Sequence, residues 1–176
     1  HMDDGTLADA LIETGAVRFG EFQLAAGGSS SYYVDKYRFE TAPATLQLIA
    51  AAFAEDLTAD RIAGVALGGV PLAVATSLHT QLPYVIARKR AKAYGTAKQV
   101  EGELHAGDAV VLLEDIATTG MSAVDAVSSI REAGGHVEEV RVVVDREEGA
   151  TAALEEVDVP MRALCTASDL LARTDR

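Results

Sequence analysis

Two adjacent acids, Glu114 and Asp115, open the stretch in which side-chain chemistry is densest along this 176-residue chain. They follow the apolar run Val110-Val111-Leu112-Leu113 and lead into Ile116-Ala117-Thr118-Thr119-Gly120-Met121-Ser122. Paired carboxylates accept hydrogen bonds from sugar hydroxyls. The Thr and Ser hydroxyls are donors, and the free backbone N–H groups of such a loop, with the positive end of a following helix, make an anion site. A phosphate at Thr118 to Ser122 with a hydroxylated sugar at Glu114 and Asp115 satisfies both halves. A plain strand–turn–helix connection carrying incidental polar residues is the other reading. The Gly-Lys-Ser/Thr ending of a nucleotide-binding P-loop is missing. A second concentration lies between Arg88 and Lys98, where Arg88, Lys89, Arg90, Lys92 and Lys98 supply five of the fifteen positive charges and no acid intervenes. A third is Asp145-Arg146, whose guanidinium fork suits a carboxylate or a paired carbonyl. An ion pair at a strand end would look the same.

The elements that would carry these residues follow from pattern. Thr6 to Glu13 reads as a short amphipathic helix, Phe19 to Leu24 and Tyr32 to Val34 as two hairpin arms about a turn at Gly27 to Ser31, and Pro43 to Leu57 as a helix with proline in its first turn. Four short, continuously apolar segments come next: Ile62 to Leu67, Tyr84 to Ala87, Ala109 to Leu113 and Val140 to Val144. Helical patterns at Val70 to Leu78, Ser122 to Ala133 and Thr151 to Glu156 alternate with them. That order predicts an α/β fold, a mainly parallel sheet covered on both faces. In such a sheet ligands sit at the carboxyl ends of the strands, where Glu114 and Asp115 fall. The segment from 88 to 104 lacks a sustained apolar period and reads as functional or mobile.

Composition narrows the class. The 27 acidic residues exceed the 15 basic ones, a formal net charge of −12. A nucleic-acid coat or an anionic-membrane binder needs a broad basic face, so neither partner is expected. One cysteine, Cys165, forms no internal disulfide and reads as a small core hydrophobe in a reducing cytoplasm. No apolar run approaches the ~20 residues of a membrane span, no signal-peptide pattern is seen at the start, and His1-Met2 reads as an expression remnant. High alanine (32), low lysine (4) and no tryptophan beside the acidic excess suit a high-salt cytoplasm or a merely acidic mesophile. His79, His105 and His136 lack metal-ligand spacing, and Asp125 reads as a solvated helix-face residue.

The strand, two acids and Thr-rich loop at 110–122 resemble the phosphoribosyl-pyrophosphate signature of the type I phosphoribosyltransferases, with Glu114 where the first acid is commonly Asp. Three further stretches resemble the orotate phosphoribosyltransferases. Phe19-Gly20-Glu21-Phe22 with Tyr32-Tyr33-Val34-Asp35 is similar to their N-terminal hood. Arg88-Lys89-Arg90-Ala91-Lys92-Ala93-Tyr94-Gly95 is similar to their lid, and Val144-Asp145-Arg146-Glu147-Glu148-Gly149 to the segment with their orotate-binding arginine. The resemblance runs from about Leu7 to Leu171 and favours the compact archaeal form.

It implies a single domain over 3–176, with a hood at about 3–40 and a lid at about 88–104, transferring phosphoribosyl to orotate with Mg²⁺. Lys89, Lys92 and Asp115 would be catalytic. The donor would meet Arg88, Lys89, Lys92, Tyr94, Glu114, Asp115, Ile116, Ala117, Thr118, Thr119, Gly120, Met121 and Ser122, with the backbone at Gly68 and Gly69 open to pyrophosphate. Orotate would meet Thr118, Arg146 and the backbone of Tyr33 and Val34. Mg²⁺ would be held mainly by substrate and water, with no direct protein ligand. The lid would reach a neighbouring subunit of a homodimer. Where the family often has a lid histidine this chain has Tyr94, a phenol without positive charge. Lysines that bacterial-type members carry are missing at Ala25 and Gly68. Lys36 is the only lysine outside the lid: it replaces some of that charge or stands peripherally beside Asp35. A purine phosphoribosyltransferase and a regulator sensing phosphoribosyl pyrophosphate are the rivals. Arg146 and the hood speak against the first. The lack of a basic recognition helix and the presence of Lys89 and Lys92 speak against the second.

Overall fold

The computed structural model describes residues 4–25, 27–88 and 98–173. Helix α1 (Asp4–Glu13) leads into an antiparallel hairpin of β1 (Val17–Gln23) and β2 (Ser29–Val34), then the short helix α2 (Lys36–Glu40) and helix α3 (Pro43–Ala54). Strand and helix then alternate: β3 (Arg61–Val65), α4 (Gly69–Thr80), β4 (Tyr84–Ala87), β5 (Val100–Glu101), β6 (Ala109–Ala117), α5 (Met121–Glu132), β7 (His136–Asp145), α6 (Ala150–Glu155), β8 (Met161–Thr166) and α7 (Ala167–Ala172). The main sheet runs in the order β5-β4-β3-β6-β7-β8, parallel throughout except for β5 at one edge. Among the described residues no helix is long and apolar enough to cross a membrane.

Alternation along β6 shows how the two faces are covered. Val111 and Leu113 join α1, α3, α4 and α7 through Leu11, Phe53, Leu72 and Leu170. Val110 and Leu112 point the other way and join α5 and α6 through Val127, Ile130 and Leu154. The chain leaves β3 for one face and β6 for the other, so the crevice between their carboxyl ends is the topological switch point of the sheet.

The expected strands at Ile62, Tyr84, Ala109 and Val140 are present, with bounds corrected by pairing. β6 continues past Leu113 to Ala117 because β7 extends beside it, with Glu114 opposite Val142 and Ala117 opposite Asp145. β7 starts at His136 rather than Val140, and β3 ends at Val65 rather than Leu67. In the hairpin, β1 starts at Val17, and β2 at Ser29 takes in residues expected in the turn. α1 begins two residues before Thr6, and α3 stops at Ala54 because Glu55 turns to extended backbone (ψ 123°). Four elements had no expectation. α2 and α7 are too short to show a period, β5 is two residues inside the stretch assigned to the lid, and Arg162 interrupts the apolar run of β8. Cys165 is buried in the core, as expected.

Candidate active site

The two acids end on opposite faces because they are consecutive in a strand. Asp115 shares its face with Val111 and Leu113, the side on which the loop after β3 and helix α2 lie; Glu114 shares that of Leu112. Both are buried, at 2% and 7% exposure. Asp115 Oδ1 accepts the Ile116 N–H at 2.6 Å, Glu114 Oε1 accepts the Asp115 N–H at 3.3 Å, and Lys36 Nζ lies 3.2 Å from Asp115 Oδ2. Burial works against ionised Asp115, but contact with Glu40, the Ile116 N–H and Lys36 outweigh it and hold this carboxyl below the usual range. Burial, then the charge of Asp115, pushes Glu114 up to about 8. The adjacent acids are therefore unlike: one is a carboxylate at neutral pH, the other retains its proton through most of the neutral range.

Beyond the acids the backbone makes a cradle. Gly120 adopts φ 86°, and α5 starts at Met121 with no side chain capping its first turn. Glu114, Thr118, Thr119, Gly120, Met121 and Ser122, with Ile116, Ala117 and Ala123, line a hollow of about 70 Å³ there. Unfilled N–H groups at the positive end of a twelve-residue helix suit a phosphate. The cradle opens into a cleft of about 350 Å³ that Glu114, Asp115, Ile116, Thr118 and Ser122 share with Lys36, Tyr37, Ala66, Leu67, Gly68 and Arg146. Gly68 gives the carboxylate its room: a Cβ there would lie 1.7 Å from Asp115 Oδ2 and displace it.

Arg146 reaches the cleft because its N–H bonds to the Ala117 carbonyl at 2.9 Å, carrying the end of β7 past the end of β6. Its Nε donates to the Tyr32 hydroxyl at 3.1 Å, its guanidinium lies 4.6 Å from the Tyr32 ring centroid, and Glu148 Oε2 is 3.6 Å from Nε. Those contacts engage the Nε side of the group and leave the terminal fork for a planar anion. A larger cleft, about 620 Å³, lies at the amino ends of the strands between Asp60, Glu138, Glu139, Arg141 and Arg162. Its arginines are engaged within the protein: Arg141 binds Glu139 and the carbonyls of Phe53 and Glu55, and Arg162 faces Glu139.

A model of the phosphoribosyl transferase domain matches residues 38–159, more than half of the chain. The orotate phosphoribosyltransferase of Natronomonas pharaonis is 58% identical over 171 residues, covering 97% of this chain and 99% of the relative. That of Halobacterium salinarum is 60% identical over 166 residues, covering 94% and 95%. The chain belongs to the orotate phosphoribosyltransferase family. The crystal structure of orotate phosphoribosyltransferase from Aeropyrum pernix superposes with a TM-score of 0.89 at 33% identity, covering 96% of this chain and 98% of that one. The fold is therefore the type I phosphoribosyltransferase fold, in a sheet that is parallel but for β5.

Within that family frame, the structure brings Glu114, Asp115, Ile116, Thr118, Ser122, Gly68 and Arg146 to one cleft, and Ala117, Thr119, Gly120 and Met121 to the cradle beside it. Gly69 is buried behind, at the start of α4. Tyr33 and Val34 are not among the cleft's lining residues. Period-2 alternation turns Val34 into the core and leaves Tyr33 exposed beside Phe22, and Tyr32 meets Arg146 instead. Arg88 stands half-exposed at the end of β4, 3.4 Å from Glu101. Lys89, Arg90, Lys92 and Tyr94 lie outside the described residues. Lys36 is not peripheral: α2 carries it to Asp115, and the salt bridge on its other side, from Asp35, goes to Arg38. Sequence reading placed Tyr32 in the hood without foreseeing its contact with Arg146, and missed Glu40 altogether. Their positions depend on the hairpin register and on a five-residue helix, neither of which leaves a periodic trace.

Proposed function

We propose that this chain is an orotate phosphoribosyltransferase that acts in de novo pyrimidine synthesis, joining orotate to the ribosyl carbon of phosphoribosyl pyrophosphate and releasing pyrophosphate with orotidine 5′-monophosphate. The observation that carries this is one cleft in which a phosphate cradle, two buried acids and an arginine fork face a common space. The 5-phosphate sits on the N–H groups of Thr118 to Ser122. Glu114 and Asp115 hold the ribose hydroxyls, Asp115 as acceptor through its carboxylate and Glu114 through its carbonyl oxygen while it keeps its proton. As the C1–O bond breaks, the ring gains positive charge, and the carboxylate of Asp115 stabilises it electrostatically. Orotate, a planar monoanion, lies between Thr118 and the fork of Arg146, which Tyr32 holds in place; covering of the ring by the backbone of Tyr33 and Val34 would need the hairpin to shift, since neither lines the cleft. The leaving pyrophosphate faces the backbone at Gly68, with Gly69 behind it, and Arg88, Lys89, Lys92 and Tyr94 are assigned to bind it and neutralise its charge.

Mg²⁺ enters as part of the same reading. The proposal assigns it no direct protein ligand. A hard ion that keeps several waters would be held mainly by substrate and water, and would supply positive charge against the developing negative charge. The active form is a cytoplasmic homodimer, each lid serving the neighbouring site, and the acidic composition suits concentrated salt.

Purified protein with phosphoribosyl pyrophosphate and Mg²⁺ is offered orotate, hypoxanthine and adenine in competition. Orotate alone should disappear, with one pyrophosphate released per orotate, and a chelator should stop the reaction. Preferential use of a purine, or no turnover of any base, would contradict the assignment.

A further inference from the structure

The reaction just proposed leaves two charged residues of α2 without a task, Lys36 in the cleft and Glu40 behind it. Lys36 and Glu40 stand one turn apart on α2, so their side chains share a face, and that face meets Asp115. Lys36 is on the cleft side, 3.2 Å from Asp115 Oδ2. Glu40 lies behind it, 3% exposed, and neither of its carboxyl oxygens meets a hydrogen-bond donor. Asp115 Oδ2 has no hydrogen-bond donor either, beyond the ion pair. The two carboxyl groups converge over Gly68: a Cβ there would be 1.7 Å from Asp115 Oδ2 and 2.9 Å from Glu40 Oε1. Two carboxylates facing one another in a dry space repel; a single proton between them makes a strong, charge-assisted hydrogen bond. A side chain at 68 would displace both carboxyls from this arrangement, and the cation on this wall comes instead from α2.

We propose that Glu40 is a positioning residue holding one proton, which it donates to Asp115 Oδ2, and that Lys36 is a further donor-binding residue whose ammonium passes from Asp115 to a pyrophosphate oxygen when phosphoribosyl pyrophosphate enters. This rests on the reading of the cleft as the donor site. Glu40 keeps Asp115 oriented when Lys36 departs, so the ribose hydroxyls meet a carboxylate already aimed at them. The electrostatics agree. Burial, then the hydrogen bond and charge of Asp115, pushes Glu40 up to about 9. For Lys36, burial favours the neutral amine but Asp115 outweighs it, and the ammonium is held above its usual value. The ionisable groups bearing on Glu40 are Asp115 and Glu114 from β6 and Lys36 from its own helix; the Ala66-Leu67-Gly68 loop and α3 carry none.

Infrared spectra of the full chain at neutral pH provide a readout that needs no turnover. The carbonyl stretch of a buried protonated carboxyl should be present and should weaken in Glu40→Gln, leaving any contribution from Glu114. In kinetics, Glu40→Ala should lower kcat/KM by at least about tenfold, and Glu40→Gln, whose amide still donates, should recover it to within about threefold of the parent. Lys36→Met should raise KM for phosphoribosyl pyrophosphate about tenfold and leave KM for orotate unchanged. A spectrum identical in parent and Glu40→Gln, or a glutamine variant as impaired as the alanine one, would overturn the role of Glu40. An unchanged donor KM in Lys36→Met would overturn that of Lys36. A cation held between the carboxyls instead of a proton gives no such band and counts against the proposal. Failure of the parent to use orotate would refute the reaction and leave the spectroscopic result standing by itself.

Discussion

Asp115 and Glu114 in the cleft and Glu40 behind it are three acids with three different proton affinities, and the differences come from what each touches. Asp115 has a backbone N–H and an ammonium and sits low; Glu114 and Glu40 have mainly burial and a neighbouring charge, and are pushed up to about 8 and about 9. The consequence for stability has a definite sign. In the unfolded chain both glutamates ionise near the ordinary value of 4.5; in the folded chain they keep their protons to about 8 and 9. Between those limits the native state binds more protons than the unfolded one, so stability falls as pH rises. Urea denaturation across that window should show the decline, shallower in Glu40→Gln, and a flat or rising profile in the parent would show that the two carboxyls are not buried as described. At this scale the contiguous chemistry was legible: residue types and order singled out Glu114, Asp115, Thr118 and Ser122, and the family resemblance added Arg146, all of which line the one cleft. The contact of Tyr32 with Arg146 was not legible, because it spans 114 residues of sequence and depends on hairpin register.

A strand that ends one residue early or late would rotate the acids away from their partners. β6 reaches Ala117 only because β7 pairs with it to Asp145, and the same pairing brings Arg146 beside the Ala117 carbonyl. One extension thus places both ends of the cleft. Sequence pattern located the cores of β3, β4, β6 and β7, since buried parallel strands read as apolar runs, but it stopped β6 at the first charged residue. The edge strands β5 and β8 and the helices α2 and α7 were illegible because they are short, half-exposed or interrupted by charge. The turn into α5 is the most constrained point of the cradle. Gly120 has φ 86°, and an added Cβ would be 2.8 Å from the Ala150 Cα. Gly120→Ala should therefore cost about 2–4 kcal/mol of stability from strain and crowding together. Equal denaturation midpoints for variant and parent would mean that the loop is built otherwise.

The whole molecule carries a net charge of −12 and is assigned a polyanionic substrate. At low salt that field opposes binding. In molar salt the Debye length is about 3 Å, so the acidic surface repels little beyond contact and steering at a distance is lost with it. Selection then falls to short-range pairing within the cleft, whose described cations are Lys36, beside Asp115, and Arg146, beside Tyr32. The central claim is that this space is divided, with ribose and its phosphates at Asp115 and the cradle, and the base at Arg146. Separate KM values for phosphoribosyl pyrophosphate and orotate, measured in Asp115→Asn and Arg146→Ala, test it most directly. The account predicts a crossed pattern: at least about tenfold weakening of the donor alone in the first and of orotate alone in the second. Both constants rising together in either variant, or neither moving, would contradict it.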